Sequence, residues 1–190
     1  MIAAALLACA VNVHPTTLEA IIRVESGGNP LAIHVNNYSG PQPHPDNVDN
    51  AVLLAKAFIE RGYRVDLGIM QITDANLPGL GFTVEQAFDP CLNIKGGAAI
   101  LTEFYSAAIT RYAAGEPALE AAISAYNTGT FWRGFRNGYV ASVIGSPAMA
   151  LRPLSRAVAA ALPARHARSD PYTADTVAYT NELGPHVQID

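Results

Sequence analysis

Charge is scarce in this chain. Only 15% of its 190 residues are Asp, Glu, Lys or Arg, and 16 acidic against 12 basic residues give a net charge of −4. A mildly acidic chain has no electrostatic attraction to nucleic acid or to an anionic membrane surface, so neither is expected as a partner. By the same argument, a polyanionic substrate would be recognised by shape and hydrogen bonds rather than by net charge.

Long apolar runs are absent as well. No stretch approaches the roughly 18 apolar residues that a membrane span requires, so stable membrane insertion is not expected. Residues 1–11 are apolar but short and lack a basic region, which makes them a poor export signal, and we expect the starting Met to replace a removed one. Residues 2–9 are instead predicted to form a first helix packed on the core.

Cysteine is limited to Cys9 and Cys91. Two thiols so far apart in sequence suit one disulfide or two unrelated buried residues, and the residues alone leave both interpretations open. The five histidines are scattered without the spacing of metal ligands, so neither a metal site nor a cofactor is expected.

Half of the residues are hydrophobic, and the chain is long enough for one domain with its own core. Helical periodicity predicts four main helices and a short final one, over residues 18–26, 47–61, 91–112, 118–126 and 139–144. Thr16 or Thr17 is predicted to cap the first of these, and Asp46 or Asn47 the second. Glu19 and Arg23, four residues apart, are predicted to pair.

The predicted β-structure is small. Residues 31–35 alternate in polarity, residues 63–72 are strand-like, and the simplest pairing is an antiparallel ribbon between them. Residues 73–84 are expected to form a loop, followed by a short helix through Phe88. The predicted fold class is therefore mainly α with a small antiparallel β-ribbon.

The composition changes near Gly145. Residues 146–190 combine recurring prolines with alanine-rich pieces and contain no clear period after Arg165. We expect residues 1–145 to form the folded domain and residues 146–190 to be an extension, helical over residues 155–162 and mobile at its tail.

Residues 18–32 (LEAIIRVESGGNPLA) contain a candidate catalytic acid. The spacing i, i+3, i+4 and i+7 places three apolar residues and one carboxyl on a single helical face: Leu18, Ile21, Ile22 and Glu25. Residues 26–30 end the helix, so Glu25 lies in its last turn, where the helix dipole and apolar neighbours disfavour the ionised form. A carboxyl held protonated near neutral pH is what a general acid requires, although a helix-terminal Glu can also simply extend into solvent.

Four motifs follow one another along the chain: residues 25–30 (ESGGNP) with Ala32, residues 68–72 (GIMQI), residues 125–129 (AYNTG) and residues 138–140 (GYV). Over about residues 9–145 they resemble the Slt-type soluble lytic transglycosylase family, which has a goose-type lysozyme-like catalytic domain. Residues 65–68 (VDLG) and 88–94 (FDPCLNI) further resemble the transglycosylase component of bacterial type IV secretion systems.

This resemblance implies a lysozyme-like α+β fold, a periplasmic location and peptidoglycan glycan strands as the substrate. The bond cleaved would lie between N-acetylmuramic acid and N-acetylglucosamine, without water, leaving a 1,6-anhydromuramyl end. Glu25 would act first as acid and then as base. The resemblance also implies contacts with other secretion-system components and a disulfide between Cys9 and Cys91.

The resemblance implies substrate-binding roles for six further residues: Ser26, Met70, Gln71, Tyr126, Asn127 and Tyr139. Structural alternatives accompany most of them, because Ser26 and Asn127 can end helices and Met70 and Tyr126 can fill a core. Gln71 is hard to explain as a core residue. Phe131 and Trp132 are interpreted either as a stacking wall or as ordinary packing residues.

Two other functions stay open at this point. A lysozyme-type hydrolase would use Asp66 or a positioned water as its second group, although we favour Asp66 as a brace of the ribbon. A catalytically idle wall-binding or assembly protein is the third interpretation, which the intact Glu25 and Gln71 motifs disfavour.

Overall fold

The computed structural model describes residues 2–146 of the chain. These residues belong to two compact units, residues 2–99 and residues 100–146, and the boundary falls inside one long helix. The predicted helix over residues 155–162 and the predicted mobile tail lie outside the described residues. The domain boundary at residue 145 therefore stays a prediction.

The described chain is mainly helical. The α-helices are α1 Ala4–Leu7, α2 Pro15–Ser26, α3 Val48–Glu60, α4 Leu77–Leu80, α5 Pro90–Ala108, α6 Glu116–Thr128, α7 Arg133–Arg136 and α8 Tyr139–Ile144. Short 3₁₀ turns cover Asp74–Asn76 and Gln86–Phe88. The mainly α fold with a small antiparallel sheet is confirmed, and so are the short helix through Phe88 and the final helix.

Helix α2 begins earlier than predicted. Its N-cap is His14, whose side chain accepts a hydrogen bond from the Thr16 N–H, so the predicted caps Thr16 and Thr17 are wrong. Pro15 explains the shift, because its fixed φ and missing N–H suit the first helical position. Gly27 ends the helix in the left-handed conformation at φ 65°, as the sequence predicts.

The predicted inner face of α2 is confirmed. Leu18, Ile21 and Ile22 are all 0% exposed. On another face, Arg23 donates to the Glu19 carboxylate at 2.8 Å, which confirms the predicted pair. A partly exposed pair of this kind contributes only about 0.3–0.5 kcal/mol, so burial of the apolar face dominates the stability of the helix.

Three short strands form one antiparallel sheet in the order β1 (Ile33–Val35), β2 (Val65–Leu67), β3 (Ile72–Thr73). The predicted pairing of β1 with β2 is confirmed, with Ile33 opposite Leu67. The prediction of a continuous strand over residues 63–72 is wrong, because residues 68–71 turn between β2 and β3. Gly68 at φ 75° and Gln71 at φ 52° adopt a backbone conformation incompatible with a strand.

Several predicted boundaries shift for identifiable reasons. The expected loop over residues 73–84 contains α4, which carries Pro78 in its first turn and ends at Gly81 with φ 69°. Helix α6 starts at Glu116 rather than residue 118, since Pro117 is tolerated in a first turn. Helix α3 has the predicted cap, with the Asn47 side chain accepting from the Asn50 N–H at 2.9 Å.

Cys9 and Cys91 form a disulfide with their Cα atoms 5.4 Å apart, which confirms the predicted bond. The bond ties the N-terminal segment to the start of α5. Helix α1 is shorter than predicted and contains no buried residue, so it is not the core-packed helix expected from the sequence. The covalent link therefore supplements the partial burial of Ile2, Leu6 and Leu7 in holding this segment in place.

Among residues 2–146, no helix is long and apolar enough to cross a membrane.

Removing the disulfide should destabilise the fold. The bond joins residues 82 positions apart, so it restricts the unfolded chain strongly, and Cys9→Ser with Cys91→Ser should lower the free energy of unfolding by about 2–4 kcal/mol. Urea denaturation measures the change. Val11→Ser, at a side chain that is 95% exposed, is the control for a polar change in this segment. An unchanged midpoint and slope in the double variant would contradict the assigned role.

Candidate active site

Glu25 lies in the last turn of α2, as predicted, and its side chain is half-buried. The next residue fastens this helix end: the Ser26 hydroxyl donates to the Ile69 carbonyl at 2.7 Å and accepts from the Gly28 N–H at 3.1 Å. Ser26 therefore joins the helix that carries the candidate acid to the turn over residues 68–71. The protonation state expected for Glu25 stays a prediction.

A second connection joins the loop after α2 to the same turn. The Ala32 carbonyl accepts from the Gly68 N–H at 2.9 Å and from the Gln71 side-chain amide at 3.2 Å. Two sequence motifs that are more than thirty residues apart thus meet through backbone groups. The hydrogen bonds fix the position of the turn relative to the end of α2.

Gly68 cannot be replaced without strain. It adopts φ 75°, and a Cβ atom at this position would overlap the Ala87 carbonyl oxygen and the Asn93 side-chain nitrogen. Glycine is thus required twice, for its backbone conformation and for the close approach of two neighbours. The sequence motif had indicated the glycine but not the reason for it.

Asn93, a residue of α5 that is 0% exposed, holds the turn over residues 68–71 by hydrogen bonds. Its amide nitrogen donates to the Leu67 carbonyl at 2.9 Å and to the Ala87 carbonyl at 2.7 Å, and its oxygen accepts from the Met70 N–H at 2.8 Å. Each of these bonds goes to a backbone group, so one buried side chain satisfies its own polar atoms by bonding the main chain at three places. This role of Asn93 was not predicted from the sequence. The available indication in the sequence was an amide residue directly before the apolar residue Ile94.

Met70 and Gln71 occupy different environments. The Met70 side chain is 0% exposed, so it packs in the core, and its N–H is engaged by Asn93. Gln71 is half-buried, and its amide nitrogen also donates to the Gly68 carbonyl at 2.9 Å. Among residues 2–146, the hydrogen bonds of the Gln71 side chain use its nitrogen and not its oxygen.

The backbone of Gln71 is strained. A non-glycine residue at φ 52° is uncommon, and such conformations persist where surrounding contacts impose them, often at functional sites. The side-chain bonds of Gln71 to Ala32 and Gly68 are contacts of this kind. The strain is consistent with the predicted functional role of Gln71, which stays a prediction.

The other candidate residues belong to the second unit. Tyr126 is half-buried and Asn127 is exposed near the end of α6, and Tyr139, 9% exposed, begins α8. Asn137 links the two helices, since its amide nitrogen donates to the Asn127 side-chain oxygen at 3.0 Å and its oxygen accepts from the Tyr139 N–H at 3.0 Å. This linking role of Asn137 was not predicted.

The remaining ring candidates differ in exposure. Phe131 is 4% exposed and packs edge-on against Tyr112 with ring centroids 6.0 Å apart, which supports the packing interpretation for this residue. Trp132 is only half-buried. The two members of the proposed stacking wall therefore do not form one exposed surface.

Asp66 lies on β2, half-buried, and accepts from the Asn36 side-chain nitrogen at 2.9 Å. Burial raises the pKa of this carboxyl, and the hydrogen bond from Asn36 partly opposes that shift. Its position within the sheet and its bond to the end of β1 favour the bracing role over a catalytic one.

Within residues 2–146, no group of three His, Cys, Asp or Glu side chains is arranged to hold a metal ion.

Comparison with known proteins identifies the class of protein. The model of the transglycosylase SLT domain family matches residues 4–142. This match covers all four sequence motifs, and the chain belongs to the transglycosylase SLT domain family.

Two individual proteins show what the chain is similar to within this family. The chain is 39% identical over 153 residues to the type IV secretion system protein virB1 of Brucella suis biovar 1, covering 77% of this chain and 64% of that protein. It is also 39% identical over 153 residues to the protein virB1 of Agrobacterium fabrum, covering 77% of this chain and 59% of that protein. The chain thus spans less than two thirds of the length of these relatives. No solved structure gives a significant match.

The close approach at Gly68 can be tested by comparing two glycines with similar backbone. Gly68→Ala should lower the free energy of unfolding by at least about 3 kcal/mol, because it combines backbone strain with steric overlap. Gly81→Ala, at φ 69° with no atom within 4 Å of an added Cβ, should cost only about 1–2 kcal/mol. Equilibrium denaturation measures both, and equal losses would contradict the close packing around Gly68.

The raised pKa of Asp66 predicts a pH-dependent stability. The folded state binds this proton more tightly than the unfolded state, so its stabilisation is complete below the unfolded pKa and is lost as pH rises through the folded pKa. Asp66→Asn does not undergo that loss. Its unfolding free energy relative to the parent should therefore increase from about pH 3 to about pH 7, as measured by urea denaturation at each pH. Parallel curves for variant and parent would contradict this assignment.

Proposed function

We propose that this chain is a peptidoglycan lytic transglycosylase that opens the cell wall locally for a type IV secretion apparatus. Membership of the transglycosylase SLT domain family supports the activity. Similarity to proteins named for type IV secretion supports the setting. The disulfide supports a periplasmic location, because such bonds persist in oxidising compartments.

One observation carries the catalytic part of the proposal. Glu25 is half-buried in the last turn of a helix whose end is fastened by the Ser26–Ile69 hydrogen bond of 2.7 Å. A carboxyl at a helix C-terminus is disfavoured as an anion by the helix dipole, and partial burial acts in the same direction. Both effects favour a proton donor at this position.

The reaction needs only one carboxyl. Glu25 gives its proton to the glycosidic oxygen as the bond from that oxygen to the anomeric carbon of N-acetylmuramic acid breaks. The resulting carboxylate takes a proton from the C6 hydroxyl of the same sugar, and that oxygen bonds to the anomeric carbon. The product is a 1,6-anhydro sugar, and Glu25 ends the cycle protonated. A second carboxyl is unnecessary because the nucleophile belongs to the substrate.

Substrate contacts are assigned to both units. In the first unit, Gln71 offers the saccharide a side-chain oxygen that the internal hydrogen bonds do not use. The buried Met70 belongs to the same turn, and Ser26 holds the end of α2. In the second unit, the proposed contacts are Tyr126, Asn127 and Tyr139. Glycan strands are the proposed partner, together with other components of the secretion apparatus.

The decisive test of the activity is Glu25→Gln assayed on purified peptidoglycan. The variant should lose at least about a hundredfold in rate, since it can neither donate nor accept the proton, while its denaturation midpoint stays close to that of the parent. Glu19→Gln is the matched control on the same helix, because Glu19 lies on another face, where it pairs with Arg23. Mass spectrometry of the parent products should show anhydro ends.

Other outcomes point to the alternative functions. Reducing ends in the products, together with inactivity of Asp66→Asn, would indicate a lysozyme-type hydrolase. Full activity of the folded Glu25→Gln variant would refute the assigned acid. Absence of any cleavage by the parent, with retained binding to the wall, would indicate a non-catalytic assembly protein.

A further inference from the structure

Positive charge is concentrated in one part of this acidic chain. Residues 121–169 contain six arginines and no Asp or Glu, although the whole chain has 16 acidic residues and 12 basic ones. The net charge of −4 therefore conceals a segment whose sign is opposite to that of the rest. Local charge of this kind can attract an anionic ligand that the net charge would not.

Two of these arginines lie on α7 and flank an aromatic ring. The guanidinium carbons of Arg133 and Arg136 lie 5.8 Å and 5.3 Å from the centroid of the Trp132 ring. Both arginines are exposed, and Trp132 is half-buried. We call Trp132, Arg133 and Arg136 the Trp–Arg patch. Within residues 2–146, neither guanidinium of the patch forms a hydrogen bond or an ion pair.

The backbone beneath the patch is firmly held. The Gly134 N–H donates to the Ser124 hydroxyl at 2.8 Å, and that hydroxyl donates to the Thr130 carbonyl at 2.8 Å. A Cβ on Gly134 would lie 2.6 Å from the Ser124 Cα, so α7 packs directly on α6. Because the backbone is fixed in this way, binding would have to order only the side chains of the two arginines.

A third arginine, Arg111, also lies over an aromatic ring. Arg111, also exposed, places its guanidinium carbon 5.6 Å from the centroid of the Phe131 ring, next in sequence to the patch. Arginine forks bind carboxylates with two parallel hydrogen bonds, and stacking on a ring holds the fork in a defined plane. Residues 121–169 themselves contain no Asp or Glu, so no carboxylate of this segment competes for Arg133 and Arg136.

We propose that the Trp–Arg patch binds the free carboxylates of peptidoglycan stem peptides. This inference rests on the proposed function, which makes peptidoglycan the substrate. In intact peptidoglycan the lactyl group of the muramic acid is bonded to the stem peptide, so the free carboxylates belong to the peptides. The patch thus recognises the peptide part of the wall, while the residues assigned above recognise the sugars.

The test measures retention of the Glu25→Gln protein on intact sacculi and on sacculi whose carboxylates have been converted to amides with carbodiimide and glycinamide. Amidation should weaken retention about tenfold, and R133Q with R136Q should weaken it equally on untreated sacculi. The double variant should be insensitive to amidation. Arg61→Gln, another exposed arginine, is the matched control and should behave as the parent.

Two results would overturn the inference: retention of the Glu25→Gln protein that is unchanged by amidation, or a folded double variant that loses as much on amidation as its parent. The first measurement needs no change in the patch, so it stands even if the double variant fails to fold. Absence of anhydro products from the unmodified protein counts against the proposed function. Formation of those products with carboxylate-independent retention counts against this inference alone.

Discussion

The buried side-chain amide of Asn93 fastens the turn over residues 68–71 to helix α5. Its three bonds satisfy the carbonyls of Leu67 and Ala87 and the N–H of Met70. A buried backbone group left without a partner costs about 1–3 kcal/mol, so hydrogen bonds to buried main-chain groups are costly to lose. Because Asn93 fits only beside a residue lacking a Cβ, the demand for glycine at position 68 follows from the same contact.

The position of Glu25, the candidate acid, depends on this turn. The turn fixed by Asn93 presents the Ile69 carbonyl to Ser26, and Ser26 fastens the end of the helix that carries Glu25. The strained backbone of Gln71 is maintained by the same set of bonds through Ala32 and Gly68. The position of the candidate acid in the first unit thus depends on side-chain-to-backbone hydrogen bonds between segments far apart in sequence, together with the buried apolar face of α2.

The sequence could predict those features of the fold that depend on residues close together in the chain. The inner face of α2 follows from the spacing of Leu18, Ile21 and Ile22, and its end follows from Gly27. Residues 68–71 were mistaken for strand because their apolar composition favours β-structure, whereas the turn is imposed by distant partners, Ala87 and Asn93. Helix α7 was missed since four residues with a central glycine show no periodicity. Resemblance, not spacing, indicated the disulfide and the substrate-binding candidates.

The disulfide closes the polypeptide between Cys9 and Cys91 into a ring that contains α2, the sheet and α3. A protease that cuts the exposed positions of the loop over residues 39–47 would leave both fragments covalently joined. Because the pieces cannot diffuse apart, the nicked chain retains the local concentration needed to keep its helices associated. In the periplasmic location proposed for this chain, the bond would thereby give it tolerance to backbone damage.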